Sequence, residues 1–541
     1  MASPDALVKS ITDWLDVLAS PGEDQGMWFG SDDSDLESVK VELAAAARKV
    51  KAFARQSGKG CEPPDGSKTM CSKMLQKCFQ KLKKADGDWD GVDVRWRTLY
   101  SDVCTIEAVW RCRSTLLHGA SQANADNEED YRGALRLVDL GIIANKGELA
   151  GLGRSPSLRS RIASKLHQEA LRAMGDNPPT NPCDDAWCAR RALPSLERRG
   201  SGKRRRSSNL DADDVDRERE GLDKWEEPAV SPVTCPQCSA VGRITCVASW
   251  KGEELKEHAV GRGVCLPVVG ADNEQLSARV AAKQPCLVQG LAELWNATEK
   301  WRDLGYIRGI AGLRIVPVEV GGKYNAPGAI SRMMRLNDFL NEYVVGGSSE
   351  AGPGDGSPAF VTRMSSVCSI SDGLVPEGAM GYGETERGAA PAAYLAQHAL
   401  FEQIPELGDD IEVPWVCSNT GRKRVQKVNV WLGPAGTVSP LHTDRFDNIL
   451  QQVVGDKYVR IYSPEHSKAL RPGAGALSNT SKLDLEGGEA AFGPEGPHAD
   501  VSALPFSEGI LREGHALFIP AGHWHYVRSL SPSLSVNFWW E

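Results

Sequence analysis

Ser439-Pro440-Leu441-His442-Thr443-Asp444 is the stretch on which the reading of this chain turns. Side chains alternate along a strand with a period of two, so His442 and Asp444 share one face of any strand that carries them. A second histidine from another strand, with His525 far downstream as a candidate, can complete two imidazoles and one carboxylate. That donor set holds ferrous iron and leaves open positions on it for a co-substrate and dioxygen. A His-x-Asp triplet alone is common, so its surroundings decide how much it means.

Those surroundings have strand periodicity on both sides. Upstream, Val428-Asn429-Val430-Trp431-Leu432 alternates and meets a turn at Gly433-Pro434-Ala435-Gly436, after which Thr437-Val438-Ser439-Pro440-Leu441 leads into His442. Downstream, Leu450 to Val454 runs to a Gly455-Asp456 turn, and Lys457-Tyr458-Val459-Arg460-Ile461-Tyr462 places Lys457, Val459 and Ile461 on one face. If that face is the interior, Lys457 is a lone cation among apolar residues and requires an anion. A dicarboxylate co-substrate whose other end chelates the metal would supply it. Gly514 to Pro520, His523 to Val527 and Leu534 to Trp540 complete a run of short strands.

From about Gly263 to Glu541 the chain resembles the JmjC-domain, cupin-like 2-oxoglutarate oxygenases. It is most similar to the subfamily of lysine-specific demethylase eight, also called JmjC domain-containing protein five, in its plant type. The resemblance is carried by Val316-Pro317-Val318-Glu319-Val320-Gly321, Tyr394-Leu395-Ala396-Gln397-His398, Ile404-Pro405-Glu406-Leu407, Trp431-Leu432-Gly433-Pro434, Ser439-Pro440-Leu441-His442, Tyr458 to Pro464, Trp524-His525-Tyr526-Val527-Arg528 and Phe538-Trp539-Trp540. It implies an α+β chain whose C-terminal domain is a double-stranded β-helix, a jelly roll, behind an N-terminal all-α domain. It implies iron(II) as metal, held by His442, Asp444 and His525 as catalytic ligands, and 2-oxoglutarate as co-substrate, bound by Tyr394, Ser439, Asn448 and Lys457. Its register, counted from Pro520, selects His525 over His523; the bland reading of His523 is a surface or supporting histidine. Lys457 fits the distal carboxylate better than Arg528, and the alternative for Lys457 is an exposed residue at a turn. For substrate binding the resemblance points to Glu319, and Trp431, Trp539 and Trp540 are candidates to line the pocket, with Trp431 taken as substrate-binding. The competing readings are a solvent-facing glutamate on an edge strand and, for Trp431, Trp539 and Trp540, ordinary core packing.

At 541 residues the chain is long enough for two or more domains, and a net charge of −9 argues against a general electrostatic grip on nucleic acid. No direct sequence-specific nucleic-acid binding is expected. Fourteen cysteines lie scattered rather than packed as a disulfide scaffold. Met1 to Leu18 carries four charges and does not read as a signal peptide, and no apolar run reaches membrane-spanning length. No membrane partner is expected, and a reducing interior suits the iron chemistry.

The expected organisation is a helical domain over 1–173, a charged linker over 174–262 and the catalytic domain over 263–541. Leu36, Val39, Leu43, Ala47, Val50 and Phe53 recur at helical spacing, as do Trp96, Leu99, Val103, Ile106 and Trp110, and Tyr131, Ala134, Leu135 and Val138. These faces pack on one another in a structural or partner-binding module. Cys235-Pro236-Gln237-Cys238, with Cys246, His258 and Cys265 downstream, is half a zinc site without a tight second pair, and free thiols are the simpler reading. A Gly-, Ser-, Pro- and Ala-rich insertion over 346–390 reads as a loop interrupting the catalytic domain.

The resulting expectation is an iron(II)- and 2-oxoglutarate-dependent dioxygenase that hydroxylates arginine side chains of a protein; the alternative is a histone methyl-lysine demethylase regulating chromatin and transcription. A non-catalytic helical scaffold is the reading of a different class, and an intact His442, Asp444, His525 and Lys457 set argues against it. Arg198 to Ser208 contains the basic cluster Lys203-Arg204-Arg205-Arg206, which reads as a nuclear-import address or as a solvated linker run. Replacing these four residues with alanine is expected to move a tagged protein from nucleus to cytoplasm in fluorescence imaging. A wild-type protein never enriched in the nucleus would remove the nuclear expectation.

Overall fold

The computed structural model describes residues 4–19, 34–55, 70–83, 93–118, 128–145, 157–174, 262–321, 330–345, 393–422, 424–486 and 495–541. The basic cluster, Cys235, Cys238, Cys246, His258 and the 346–390 insertion lie outside the described residues. Cys265 lies within them, exposed as a free thiol.

The N-terminal part is helical: α1 (Pro4–Ala19), α2 (Ser34–Arg55), α3 (Ser72–Lys83), α4 (Val94–Arg111), α5 (Arg113–His118), α6 (Glu128–Ala144) and α7 (Leu158–Ala173). The apolar stripes read from sequence meet in one core that holds Leu36, Val39, Trp96, Ile106, Tyr131 and Leu135. Helix α4 is its axis, with every residue from Leu99 to Trp110 buried. Asp93 caps α4 by accepting from Arg95 N. Glu107, on α4, accepts from Met70 N at 2.8 Å and Cys71 N at 2.7 Å, satisfying donors at the start of α3. Gly141 lets α6 lie against α4, since a Cβ there would stand 3.2 Å from the Ser101 backbone. Among the described residues, no helix is long and apolar enough to cross a membrane.

The C-terminal part is built from β1 (Arg262–Cys265), β2 (Val268–Gly270), β3 (Cys286–Gln289), β4 (Ile315–Val320), β5 (Ile330–Arg335), β6 (Ala393–His398), β7 (Val425–Gly433), β8 (Val438–Thr443), β9 (Asp447–Val454), β10 (Lys457–Tyr462), β11 (Pro505–Leu511), β12 (Ala516–Ile519), β13 (Trp524–Ser529) and β14 (Ser533–Trp540). Two sheets form, in the orders β1-β11-β10-β13-β8 and β2-β3-β12-β9-β14-β7-β6-β4-β5. Of strands β7 to β14, β7, β9, β12 and β14 lie in the large sheet and β8, β10, β11 and β13 in the small one, as the eight strands of a jelly roll, the fold that the resemblance implied.

Strand β14 shows how the sequence makes these layers. It lies between β7 and β9, and every residue is buried. Leu534, Val536, Phe538 and Trp540 face a core shared with Trp295 and Phe339 on the outer, helix-covered side of the large sheet. Ser535 and Asn537 occupy the opposite parity, where Ser535 Oγ donates to Gln452 Oε1 at 2.6 Å. Between the sheets, Tyr394, Trp431, Leu450, Val459, Ile461, Leu517 and Val527 form a second apolar cluster, so the Val459–Ile461 face of β10 does point inward.

Two boundaries and one strand position differ from the sequence reading. β8 ends at Thr443, so Asp444 is the first residue beyond the strand rather than within it. β9 begins at Asp447, three residues before the expected Leu450, because β14 pairs with it as far as Trp540↔Asp447. β4 is not an edge strand: it lies between β5 and β6, which removes the exposed-edge reading of Glu319.

Candidate metal centre

Strands β8 and β13 pair antiparallel with His442 directly opposite His525, and the register shifts between His525 and Val527. The ring centroids are 4.2 Å apart. Asp444, just past the end of β8, brings Oδ2 to 3.6 Å from His525 Nε2. One ligand atom from each of His442, Asp444 and His525 falls within 4.8 Å of the others, and among the described residues no other group of three such side chains does so. His523 is not in this group; its carbonyl supports His525 from the turn before β13.

Both imidazoles are oriented in the same way. His442 Nδ1 lies 2.7 Å from Pro440 O, and His525 Nδ1 lies 3.0 Å from His523 O. A carbonyl only accepts, so each Nδ1 carries the proton and each Nε2 keeps its lone pair for a metal. The intervening backbone is held as well: Thr443 N donates to Asn479 O at 2.8 Å, Asn479 Nδ2 to Thr443 O at 3.2 Å, and Gly522 N to Asp444 O at 2.8 Å. Burial pushes the Asp444 carboxyl up, opposed by His442, and pushes His525 well down. A divalent cation would reverse the burden on Asp444 by giving its charge a partner. Two neutral imidazoles and a carboxylate are the donor chemistry that ferrous iron takes, so the residues fit that metal.

Beside His442, Asp444 and His525 is a cavity of about 110 Å³, lined by Gln397, Pro440, His442, Asp444, Asn479, Thr480 and Trp539. Gln397, Asn479 and Thr480 were not singled out from sequence. Gln397 has φ +46°, a left-handed conformation that non-glycine residues rarely adopt, and it lies where the β6–β7 register shifts between Leu395 and His398. No sequence periodicity marks such a bulge. Trp539 lines the cavity, Trp540 lies in the outer core, and Trp431 packs on Tyr394 in the inter-sheet cluster at 5.7 Å between centroids.

The residues expected to bind 2-oxoglutarate also lie inside the roll. Lys457 is 1 % exposed, and Nζ donates to Tyr394 Oη at 3.1 Å. Burial alone lowers its ammonium to about 7. Burial raises the Tyr394 hydroxyl, with Ser439 as its hydrogen-bonding neighbour. Asn448 is bridged: Trp431 Nε1 donates to Asn537 Oδ1 at 2.9 Å, and Asn537 Nδ2 to Asn448 Oδ1 at 3.3 Å. Asn537, also missed from sequence, ties Trp431 to Asn448. Along β13, Ser529 faces Lys457 and His525 faces Ile461. That separation, roughly 13 Å of strand, is one that a lysine stem, a small dicarboxylate and an imidazole bridge together. Arg528 is engaged elsewhere, paired with Glu486.

A family described as cupin-like domain matches residues 272–541. Lysine-specific demethylase 8 of Xenopus tropicalis is 30% identical over 473 residues, covering 86% of this chain and 87% of that protein. Lysine-specific demethylase 8 of Danio rerio is 38% identical over 262 residues, 48% of this chain and 53% of that protein. Lysine-specific demethylase JMJ30 of Arabidopsis thaliana is 37% identical over 258 residues, 48% of this chain and 50% of that protein. The chain therefore spans about half the length of the fish and plant relatives and most of the frog one.

Alanine at His442, Asp444 or His525 is expected to abolish Mn(II) binding in calorimetry while circular dichroism stays native, and His523→Ala to retain most of it. Loss in His523→Ala without loss in His525→Ala would reverse the ligand assignment. A second expectation concerns protons. With its pKa near 7 in the free protein, Lys457 is largely neutral at pH 8. Pairing with a dianion raises that pKa, so 2-oxoglutarate binding to the Mn(II) protein takes up a proton there, and affinity falls as pH rises above about 7. Calorimetry in buffers of different ionisation enthalpy should show this uptake, and Lys457→Met should remove it. Binding without proton uptake in the wild type would assign the carboxylate to another group.

Proposed function

We propose, from the premise that this chain belongs to the cupin-like JmjC family of 2-oxoglutarate oxygenases, that it is an iron(II)- and 2-oxoglutarate-dependent protein oxygenase that hydroxylates arginine side chains. His442, Asp444 and His525 would hold the iron, and Lys457 with Tyr394, Ser439 and Asn448 would hold the co-substrate. With both bound and dioxygen present, that centre supplies the oxidising power to insert oxygen into an unactivated C–H bond as 2-oxoglutarate is converted to succinate and carbon dioxide. The protein's part is placement. The backbone around Thr443 fixes His442 and Asp444, the inter-sheet cluster keeps water from Lys457, and Trp539 and Gln397 would bound the space beside the iron.

The observation that carries the choice of arginine is Glu319. It sits half-buried on the internal strand β4, directly opposite Tyr394, and its charge acts on the Tyr394 hydroxyl. A carboxylate beside the co-substrate pocket receives a planar guanidinium through paired hydrogen bonds. The substrate is then an arginine-containing segment of a protein, and the nucleus is the compartment in which we expect to find it.

The second reading is methyl-lysine demethylation, in which hydroxylation of an N-methyl group releases formaldehyde. It is favoured by the names of the frog, fish and plant relatives and by the Trp539 ring on the cavity wall, since an aromatic face suits a methylated ammonium. Histone peptides are the natural probes for that reading.

Mass spectrometry of arginine and methyl-lysine peptides, after incubation with iron(II) and 2-oxoglutarate, separates the two readings. An arginine peptide is expected to gain one oxygen without formaldehyde. Glu319→Ala, which loses a charged hydrogen-bonded contact of about 1.5–3 kcal/mol, should lower peptide kcat/KM roughly tenfold to a hundredfold and leave Mn(II) affinity unchanged. Stoichiometric formaldehyde from a methyl-lysine peptide, with arginine peptides unmodified, would establish the second reading instead.

A further inference from the structure

We infer that Asp139, on helix α6 of the helical part, is a positioning residue for the Gln397 wall of the metal cavity. It acts through a buried polar relay that crosses between the two halves of the chain. The inference rests on the reading of that cavity as the metal pocket.

The relay begins with a buried ion pair. Asp139 is 0 % exposed and Arg314, just before β4, is 1 % exposed. Asp139 Oδ1 accepts from Arg314 Nε at 2.9 Å and from Nη2 at 2.7 Å, and Oδ2 accepts from Ile315 N at 2.9 Å. One carboxylate on the helical part thus fixes both a side chain and the first backbone donor of β4.

Gln403, fully buried after β6, continues the relay. Arg314 Nη2 donates to Gln403 O at 2.8 Å, and Gln403 Nε2 donates to Ile315 O at 2.7 Å. Because that carbonyl can only accept, the Gln403 amide orientation is determined, and Oε1 faces His398 Nε2 at 2.8 Å. His398 is the last residue of β6 and pairs with Val430, while Leu395 pairs with Leu432. The bulge between those two pairs contains Gln397, with its positive φ, at the cavity wall. A strained backbone persists where its flanks are held, and the relay holds the C-terminal flank. Further ties between the two parts, Ser160 Oγ donating to Glu402 O at 2.5 Å and His167 Nε2 at 3.1 Å from Gly309 O, keep α7 on the same face. The helical part therefore builds the pocket wall from behind rather than serving only as a separate recruitment arm.

Hydrogen exchange by mass spectrometry on the full chain tests this. Asp139→Asn removes the charge at nearly constant volume. Gln403→Leu cuts the relay beyond the ion pair, whose Arg314 contact uses the Gln403 backbone, and so keeps the test open if Asp139→Asn does not fold. In each folded variant, amides of Leu395 to His398 are expected to exchange about tenfold faster or more, with β8 and β13 unchanged and Mn(II) affinity retained. Unchanged protection at Leu395 to His398 in Gln403→Leu would overturn the inference. Loss spread equally over β8 and β13 would overturn it too, because the relay would then be a general stabiliser. Exchange needs no turnover, so failure of the proposed oxygenase activity would be seen separately.

Discussion

Two imidazoles placed opposite each other across one antiparallel pair, with their rings tilted by 51°, are the constraint around which this structure is organised. His442 and His525 can be neighbours only if β8 and β13 pair in this register, and a slip of one residue would turn one ring to the opposite face. Each ring then needs a fixed tautomer, which the carbonyls of Pro440 and His523 supply. The backbone between His442 and Asp444 is pinned by Asn479, and Asp444 by Gly522. Geometry is thus built into the main chain, where it is hardest to disturb.

A second constraint is a buried charge. Lys457 enters an interior otherwise filled by Val459, Ile461, Leu517 and Tyr394, and its hydrogen bond runs to a neutral phenol rather than a carboxylate. Its ammonium is lowered accordingly. A protein that only needed a stable sandwich would fill this place with an apolar side chain. The polar parity of β14 has the same character: Ser535 and Asn537 face the roll's interior while Phe538 and Trp540 face the outer core, so one strand serves both stability and chemistry.

The helical part joins the catalytic part through a buried ion pair of the kind whose disruption costs on the order of 3–5 kcal/mol. Asp139 and Arg314 are fully desolvated and bidentate, and Leu313 lies in the helical core itself. Such an interface is not that of two domains free to reorient. It gives the helices a physical role beside the site whatever else they bind.

The periodicity of the sequence was enough to read the strands around His442, the shared face of Lys457, Val459 and Ile461, the apolar stripes of α2, α4 and α6, and His442 with Asp444 as a candidate pair. Those features are local, because alternation and helical spacing follow from backbone geometry alone, and the His-x-Asp pair needs only a short extended segment. The resemblance to JmjC oxygenases supplied what periodicity could not, including the register that separates His525 from His523. Tertiary structure alone decided the rest. Gln397 reaches the cavity through a bulge defined by its pairing with β7, Asn479 and Thr480 arrive from a segment that folds back on β8, and Asn537 matters because Trp431 and Asn448 flank it. Glu319 became an internal residue only when β5 and β6 closed on either side of β4. Asp139 and Arg314 are 175 positions apart and form a pair only when the two parts dock. Each of these depends on partners far away in the chain, and a pattern with a period of two or of three to four residues carries no information about them.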